Sequence, residues 1–152
     1  MTQSVAGVLL VEDSPTDVAL TLHAFKKHNM ADRIQVLRDG AEALEFLLGA
    51  GEQTERAAAD APRVVLLDLK LPLIGGLEVL RQLKADPRTR SIPVVILTGS
   101  SEEDEIAECY RLGANSYIVK PINFEHFTET LHMLGIYWLQ LNMPLSTNDE
   151  TP

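Results

Sequence analysis

A chain of 152 residues with 45% hydrophobic and 23% charged residues has the size and balance of one folded globular domain, not of a disordered or membrane chain. Acids outnumber bases 22 to 13, and the net charge of −9 opposes binding to a phosphate backbone, so no nucleic acid partner is expected. The apolar runs fall far short of the roughly 20 residues that cross a bilayer. The opening Met1-Thr2-Gln3-Ser4 has no secretion pattern, which points to a cytoplasmic protein away from the membrane, and Cys109, with no internal disulfide partner, is expected to be packing.

In chain order, Val8 to Val11 is a first apolar run with strand character. Ser14-Pro15-Thr16-Asp17 then opens a helix: Ser14 caps, Pro15 suits the first position, Asp17 sits near the positive helix end, and Val18, Leu22 and Phe25 share a face. After a second strand, Ile34 to Leu37, Asp39-Gly40-Ala41-Glu42 has the spacing of a capping box for a helix carrying Leu44, Leu47 and Leu48. The stretch from Gly49 to Arg63 is polar and alanine-rich and reads as a surface loop. Val64 to Leu67 is the third strand, and Gly76 to Ala85 is a helix stopped by Asp86-Pro87. Val94 to Leu97 is the fourth strand. Ser100-Ser101-Glu102-Glu103-Asp104 offers two overlapping capping boxes, and Gly113 is placed for a left-handed helix end. Tyr117 to Val119 is the fifth strand, and Asn123 caps a last helix from Phe124 to about Leu141.

Strands that are apolar at successive positions belong in a parallel sheet covered on both faces. The expected fold is α/β: a doubly wound (βα)₅ flavodoxin-like parallel sheet in the order 2-1-3-4-5. Residues 1–141 are expected to form this domain, with 142–152 a polar, flexible tail.

In such a sheet ligands gather outside the carboxyl ends of the strands. Strand 1 ends in Glu12-Asp13, strand 3 in Asp68, strand 4 in Thr98 and strand 5 in Lys120-Pro121. Taken singly, each has an ordinary explanation as a cap, a strand residue or a surface lysine. Together, three carboxylates meet on neighbouring strands and repel unless a cation joins them. Mg²⁺ takes hard oxygen ligands and keeps waters that leave room for a phosphate oxygen. Lys120 and Thr98 supply a charge and a hydroxyl for oxygens that gain charge in phosphoryl transfer, with Asp68 as the nucleophile.

These residues resemble the response regulator receiver family of two-component systems, with its CheY-like fold, from about Val8 to Leu134. The segments that carry the resemblance are Leu9-Leu10-Val11-Glu12-Asp13-Ser14-Pro15, Leu66-Leu67-Asp68-Leu69-Lys70-Leu71-Pro72 with Gly75-Gly76, Ile96-Leu97-Thr98-Gly99, and Gly113-Ala114-Asn115-Ser116-Tyr117-Ile118-Val119-Lys120-Pro121. The resemblance implies that Asp68 is the phosphoacceptor for a sensor histidine kinase and that Thr98 and Lys120 assist. It also implies Mg²⁺ on Glu12, Asp13, Asp68 and the backbone carbonyl of Lys70, a switch formed by Thr98 and Tyr117, and a cis Lys120-Pro121 peptide. The protein would be a phosphoacceptor signalling protein, acting as a catalyst only of its own phosphotransfer and dephosphorylation.

Three departures from the common pattern stand out: Glu-Asp replaces Asp-Asp, Gly75 replaces Asp or Asn, and Lys70 and Ser100 occupy the positions that flank the phosphoryl site and tune its lifetime. In the last helix Phe127, Leu131, Leu134, Trp138 and Leu141 are spaced 4, 3, 4 and 3, a packing seam. Ile136, Tyr137, Trp138, Leu139 and Leu141 carry the apolar character past the point where a receiver helix normally stops. This extension is expected to form a homodimer interface, or else to fold back on its own domain. With the long loop before strand 3, it resembles single-domain regulators that partner bacterial phytochromes, so a bacteriophytochrome is the expected kinase. No output domain is visible, which leaves protein contact as the route for the signal. Two other readings are a pseudo-receiver interaction module and a haloacid-dehalogenase-type phosphohydrolase. The second needs Asp-x-Asp on strand 1, where this chain has Glu12-Asp13-Ser14.

Overall fold

A computed structural model of the chain describes residues 7–49 and 61–145. Five strands, β1 (Val8–Val11), β2 (Ile34–Leu37), β3 (Val64–Leu67), β4 (Val94–Thr98) and β5 (Ser116–Val119), form one parallel sheet in the order β2-β1-β3-β4-β5. The helices between and after them are α1 (Pro15–Lys27), α2 (Gly40–Leu48), α3 (Gly76–Ala85), α4 (Glu103–Leu112) and α5 (Phe124–Ile136). This is the fold and strand order expected from the sequence.

Every residue of β1, β3 and β4 is buried, as strands sandwiched between two helical layers require. Their side chains alternate between two cores. Leu9, Val11, Val65, Leu67, Val94 and Ile96 face Ala43, Leu47, Val79, Leu80, Leu83 and Cys109 of α2, α3 and α4. Val8, Leu10, Val64, Leu66, Val95 and Leu97 face Val18, Phe25, Phe127 and Leu131 of α1 and α5. Cys109 is fully buried, and burial pushes its thiol up to about 11, so it is packing and not a reactive group.

Most helix starts follow the predicted chemistry. Ser14 Oγ accepts from the Asp17 N–H at 3.2 Å, Asp39 Oδ1 from Glu42 N–H at 2.7 Å, and Asn123 Oδ1 from His126 N–H at 3.0 Å. Gly113 ends α4 at φ 110°, the left-handed turn expected of it. The start of α4 differs. Its cap is Glu102, which makes no side-chain capping bond, because Ser100 Oγ is engaged with the Glu105 carboxylate and the Glu102 N–H.

The last helix also differs in kind. It is α-helical to Ile136 and continues as a π-turn from Tyr137 to Leu141. That turn brings Leu139 into the core against Gly7, and Arg63 donates to the Leu139 carbonyl at 3.3 Å. Trp138 is half-buried on the same core, edge-on to Tyr137. The predicted extension therefore folds back in part: Ile136, Trp138 and Leu139 are wholly or partly covered, whereas Tyr137 and Leu141 are exposed. The predicted loop from Gly49 to Arg63 lies largely outside the described residues, as does most of the tail 142–152. Among the described residues no helix is long and apolar enough to cross a membrane.

Candidate functional site

Parallel strands in this order put the ends of β1, β3, β4 and β5 on one edge, so the topology alone assembles Glu12, Asp13, Asp68, Thr98 and Lys120. The first two follow β1 directly, and the N–H groups of Glu12 and Asp68 continue the sheet by donating to Leu37 and Val11. Glu12, Asp13 and Asp68 each offer an oxygen within 4.8 Å of the others. A cluster of hard oxygen donors at that separation fits Mg²⁺ or a similar divalent ion.

Lys120 reaches into this cluster from the end of β5, held there by its own N–H donating to the Thr98 carbonyl at 2.7 Å. Its ammonium donates to Asp17 Oδ2 at 2.6 Å and Glu12 Oε1 at 2.7 Å, and lies 3.5 Å from Asp68 Oδ2. Burial pulls against the lysine charge, yet the carboxylates of Asp17 and Glu12 outweigh it and hold the ammonium above its usual range. Glu12 is 2% exposed, and burial lifts its carboxyl from 4.5 to about 7 despite the Lys120 hydrogen bond. Asp13 is exposed at the mouth.

The loop after Asp68 is tightly fixed. A Cβ on Gly76 would sit 2.3 Å from the Asp68 carbonyl, so only glycine allows α3 to start this close. Lys70 is exposed, and its N–H donates to Asp68 Oδ1 at 3.4 Å. Leu73, at φ 69° with the Ile74 N–H donating to the Pro72 carbonyl at 2.8 Å, forms a γ-turn of the uncommon, strained kind. At Gly75, where the sequence departs from the common pattern, a Cβ would meet only the Leu69 carbonyl oxygen at 3.8 Å, an ordinary contact that leaves room for a side chain.

On the β4 side, Thr98 is buried and its Oγ1 has no hydrogen-bond partner. Such a hydroxyl is costly unless something arrives to use it. Tyr117 is half-buried and its phenol donates to the Ser100 carbonyl at 2.9 Å, in the loop that Thr98 begins. Tyr117 of β5 is thus tied to the segment that directly follows Thr98 of β4.

One expectation is overturned. No described peptide bond is cis, so Lys120-Pro121 is trans. Trans is the intrinsically favoured isomer even before proline, and Lys120 reaches Glu12 and Asp17 from it without the cis form. Sequence reasoning also missed Asp17 as a site residue. Its first-turn position looked like helix chemistry, and only the fold brings Lys120, 103 residues later, onto its carboxylate.

A family model described as the response regulator receiver domain matches residues 8–132. Among curated proteins, the chain is 42% identical over 135 residues to the probable methanogenesis regulatory protein FilR2 of Methanothrix harundinacea, covering 89% of this chain and 84% of that protein. It is 36% identical to response regulator Rcp1 of Synechocystis, covering 88% of each. A solved structure of the phosphorylated cyanobacterial phytochrome response regulator RcpA superposes with a TM-score of 0.82 at 35% identity, over 93% of this chain and 99% of that one. Rcp1 itself has a structure in a Mn²⁺-bound form.

Proposed function

The chain belongs to the response regulator receiver domain family, and from that premise we propose that it accepts a phosphoryl group on Asp68 from the phosphohistidine of a sensor histidine kinase. The observation that carries this reading is the meeting of Glu12, Asp13 and Asp68 oxygens within 4.8 Å, with the Lys120 ammonium beside them. Glu12, Asp13, Asp68 and the Lys70 carbonyl would hold Mg²⁺, which when bound neutralises charge on the phosphoryl oxygens.

An Asp68 carboxylate oxygen attacks phosphorus. The new O–P bond forms as the P–N bond to the kinase imidazole breaks, and the electron pair stays on that nitrogen. Lys120 supplies a fixed positive charge to the transferred group. The unpartnered Thr98 hydroxyl donates to one of its oxygens, which draws on the loop that holds Tyr117 through Ser100. Binding of phosphate is thereby coupled to the Tyr117 side of the sheet.

The unit extends through Leu141, and its output is contact with other proteins. A phytochrome-type kinase is supported by the relative RcpA, which is named as a cyanobacterial phytochrome response regulator. A homodimer is supported by Met133, Tyr137 and Leu141, which are exposed along one end of the molecule.

Acetyl phosphate with Mg²⁺, followed by intact mass, tests the reading. The parent is expected to gain one phosphoryl group and Asp68→Asn none, while the variant melts no lower than the parent because one of three clustered negative charges is gone. An unlabelled parent would make the chain a pseudo-receiver interaction module. A labelled Asp68→Asn would move the acceptor elsewhere.

A further inference from the structure

Lys120 has one more carboxylate than a three-acid site accounts for. Its shortest contact, 2.6 Å, is to Asp17 on the first turn of α1. Asp17 stands outside the oxygen cluster that Glu12, Asp13 and Asp68 form. We propose that Asp17 is a positioning residue of the phosphoryl site: it anchors the Lys120 ammonium so that a free N–H faces Asp68 when Glu12 turns to a divalent cation. The inference rests on Asp68 being the phosphoacceptor.

An ammonium has three N–H donors and no acceptor. Two make short bonds to Asp17 and Glu12, and the third makes only a long contact to Asp68 at 3.5 Å, which an arriving phosphoryl oxygen would better. A metal ion competes for Glu12 and Asp68 but not for Asp17. Without Asp17, the metal would strip Lys120 of its close partners and free its long stem to swing.

The anchor is itself rigid. The Asp17 N–H donates to Ser14 Oγ at 3.2 Å, and its carbonyl accepts from the buried Thr21 hydroxyl at 2.7 Å, which fixes the backbone that bears the carboxylate. An acid placed only for the helix dipole would need no partner. This one is paired with a lysine that is 15% exposed.

Three proteins separate the roles: the parent, Asp17→Ala, which removes charge and acceptor, and Asp17→Asn, which keeps an acceptor oxygen. Two readouts are taken: the rate of phosphorylation by acetyl phosphate with Mg²⁺, and the NMR signal of the Lys120 ammonium in the Mg²⁺-loaded, unphosphorylated protein. Asp17→Ala is expected to react about tenfold more slowly, the scale of one hydrogen bond to a charged group, and to lose the protected ammonium signal. Asp17→Asn is expected to recover most of both. A parent-like rate and signal in Asp17→Ala would overturn the proposal and leave Asp17 a helix-start acid. Faster reaction of Asp17→Ala would also overturn it, by making Asp17 a competitor for Lys120. A parent that takes up no phosphoryl group overturns the underlying reading as well, and is seen before any variant is made.

Discussion

Glu12 sits where β1 runs out, almost wholly inaccessible, and burial lifts its carboxyl to about 7, with Lys120 pulling the other way but not cancelling the shift. Its pKa is raised on folding, so its stabilising contribution to the metal-free protein is complete below the ordinary value of 4.5 and is lost as pH rises through about 7. A cation that needs this carboxylate charged must therefore displace a proton. Titration of the protein with Mg²⁺ is expected to give an apparent affinity that rises with pH up to about 7, by at most about tenfold per pH unit for one proton, and then levels off. An affinity that is flat from pH 6 to 8 would mean that no proton leaves Glu12 on binding, and loss of affinity in Glu12→Gln then decides whether its carboxylate is a ligand. The residues of this cluster were legible because each ends a strand, and strand ends in a parallel sheet share an edge. Asp17 was not, since a first-turn acid has the same local signature whether or not a distant lysine lands on it.

Helix starts were legible where one side chain answers one N–H. Ser14, Asp39 and Asn123 all cap as their spacing implies. At α4 the same logic failed because Ser100 had a competing partner in Glu105, five residues on, so the helix begins without a side-chain cap. The packing of α1 on α5 adds a feature no pattern announced: His28, which caps the end of α1, stacks on His132 of α5 with ring centroids 3.3 Å apart. Desolvation, the neighbouring His132 and Lys27 all hold His28 below its usual value of 6.5. A lowered pKa makes this contribution present above the ordinary histidine value and lost as pH falls, since the folded protein resists the proton that the unfolded chain accepts. Thermal melts from pH 8 down to pH 5 are expected to show the parent losing stability relative to His28→Gln. Parallel curves for the two proteins would show that the stack has no electrostatic cost.

At the scale of the whole molecule, β-strand order followed from the alternation of short apolar runs with helices and from right-handed crossovers, which leave few other arrangements. The far end of the chain was only half legible. The heptad-like seam identified an apolar helix, but a π-turn adds a residue per turn and changes which side chains face inward. Leu139, which the seam omits, is buried against Gly7, whereas Leu141, which the seam includes, is 69% exposed. Core and interface roles therefore interleave within five residues. A groove of about 540 Å³ beside β5 is lined by Ile118, Met133, Leu134, Tyr137 and Trp138 and joins this exposed patch to the strand that carries Tyr117. Covering it with a second copy would remove apolar area worth about 25 cal/mol per Å² before association costs, and a stable interface of about 1,200 Å² or more needs such a patch at its centre. The parent is expected to be a dimer by light scattering at high concentration. Tyr137→Glu combined with Leu141→Glu should give a monomer that melts with the parent diluted to its monomeric form, because both side chains are exposed in the single chain. Leu139→Ala should do the reverse, costing about 2–5 kcal/mol of stability as a buried leucine lost from a core. If the double variant melts below the diluted, monomeric parent, or the parent is a monomer at high concentration, the exposed face of the turn serves its own domain.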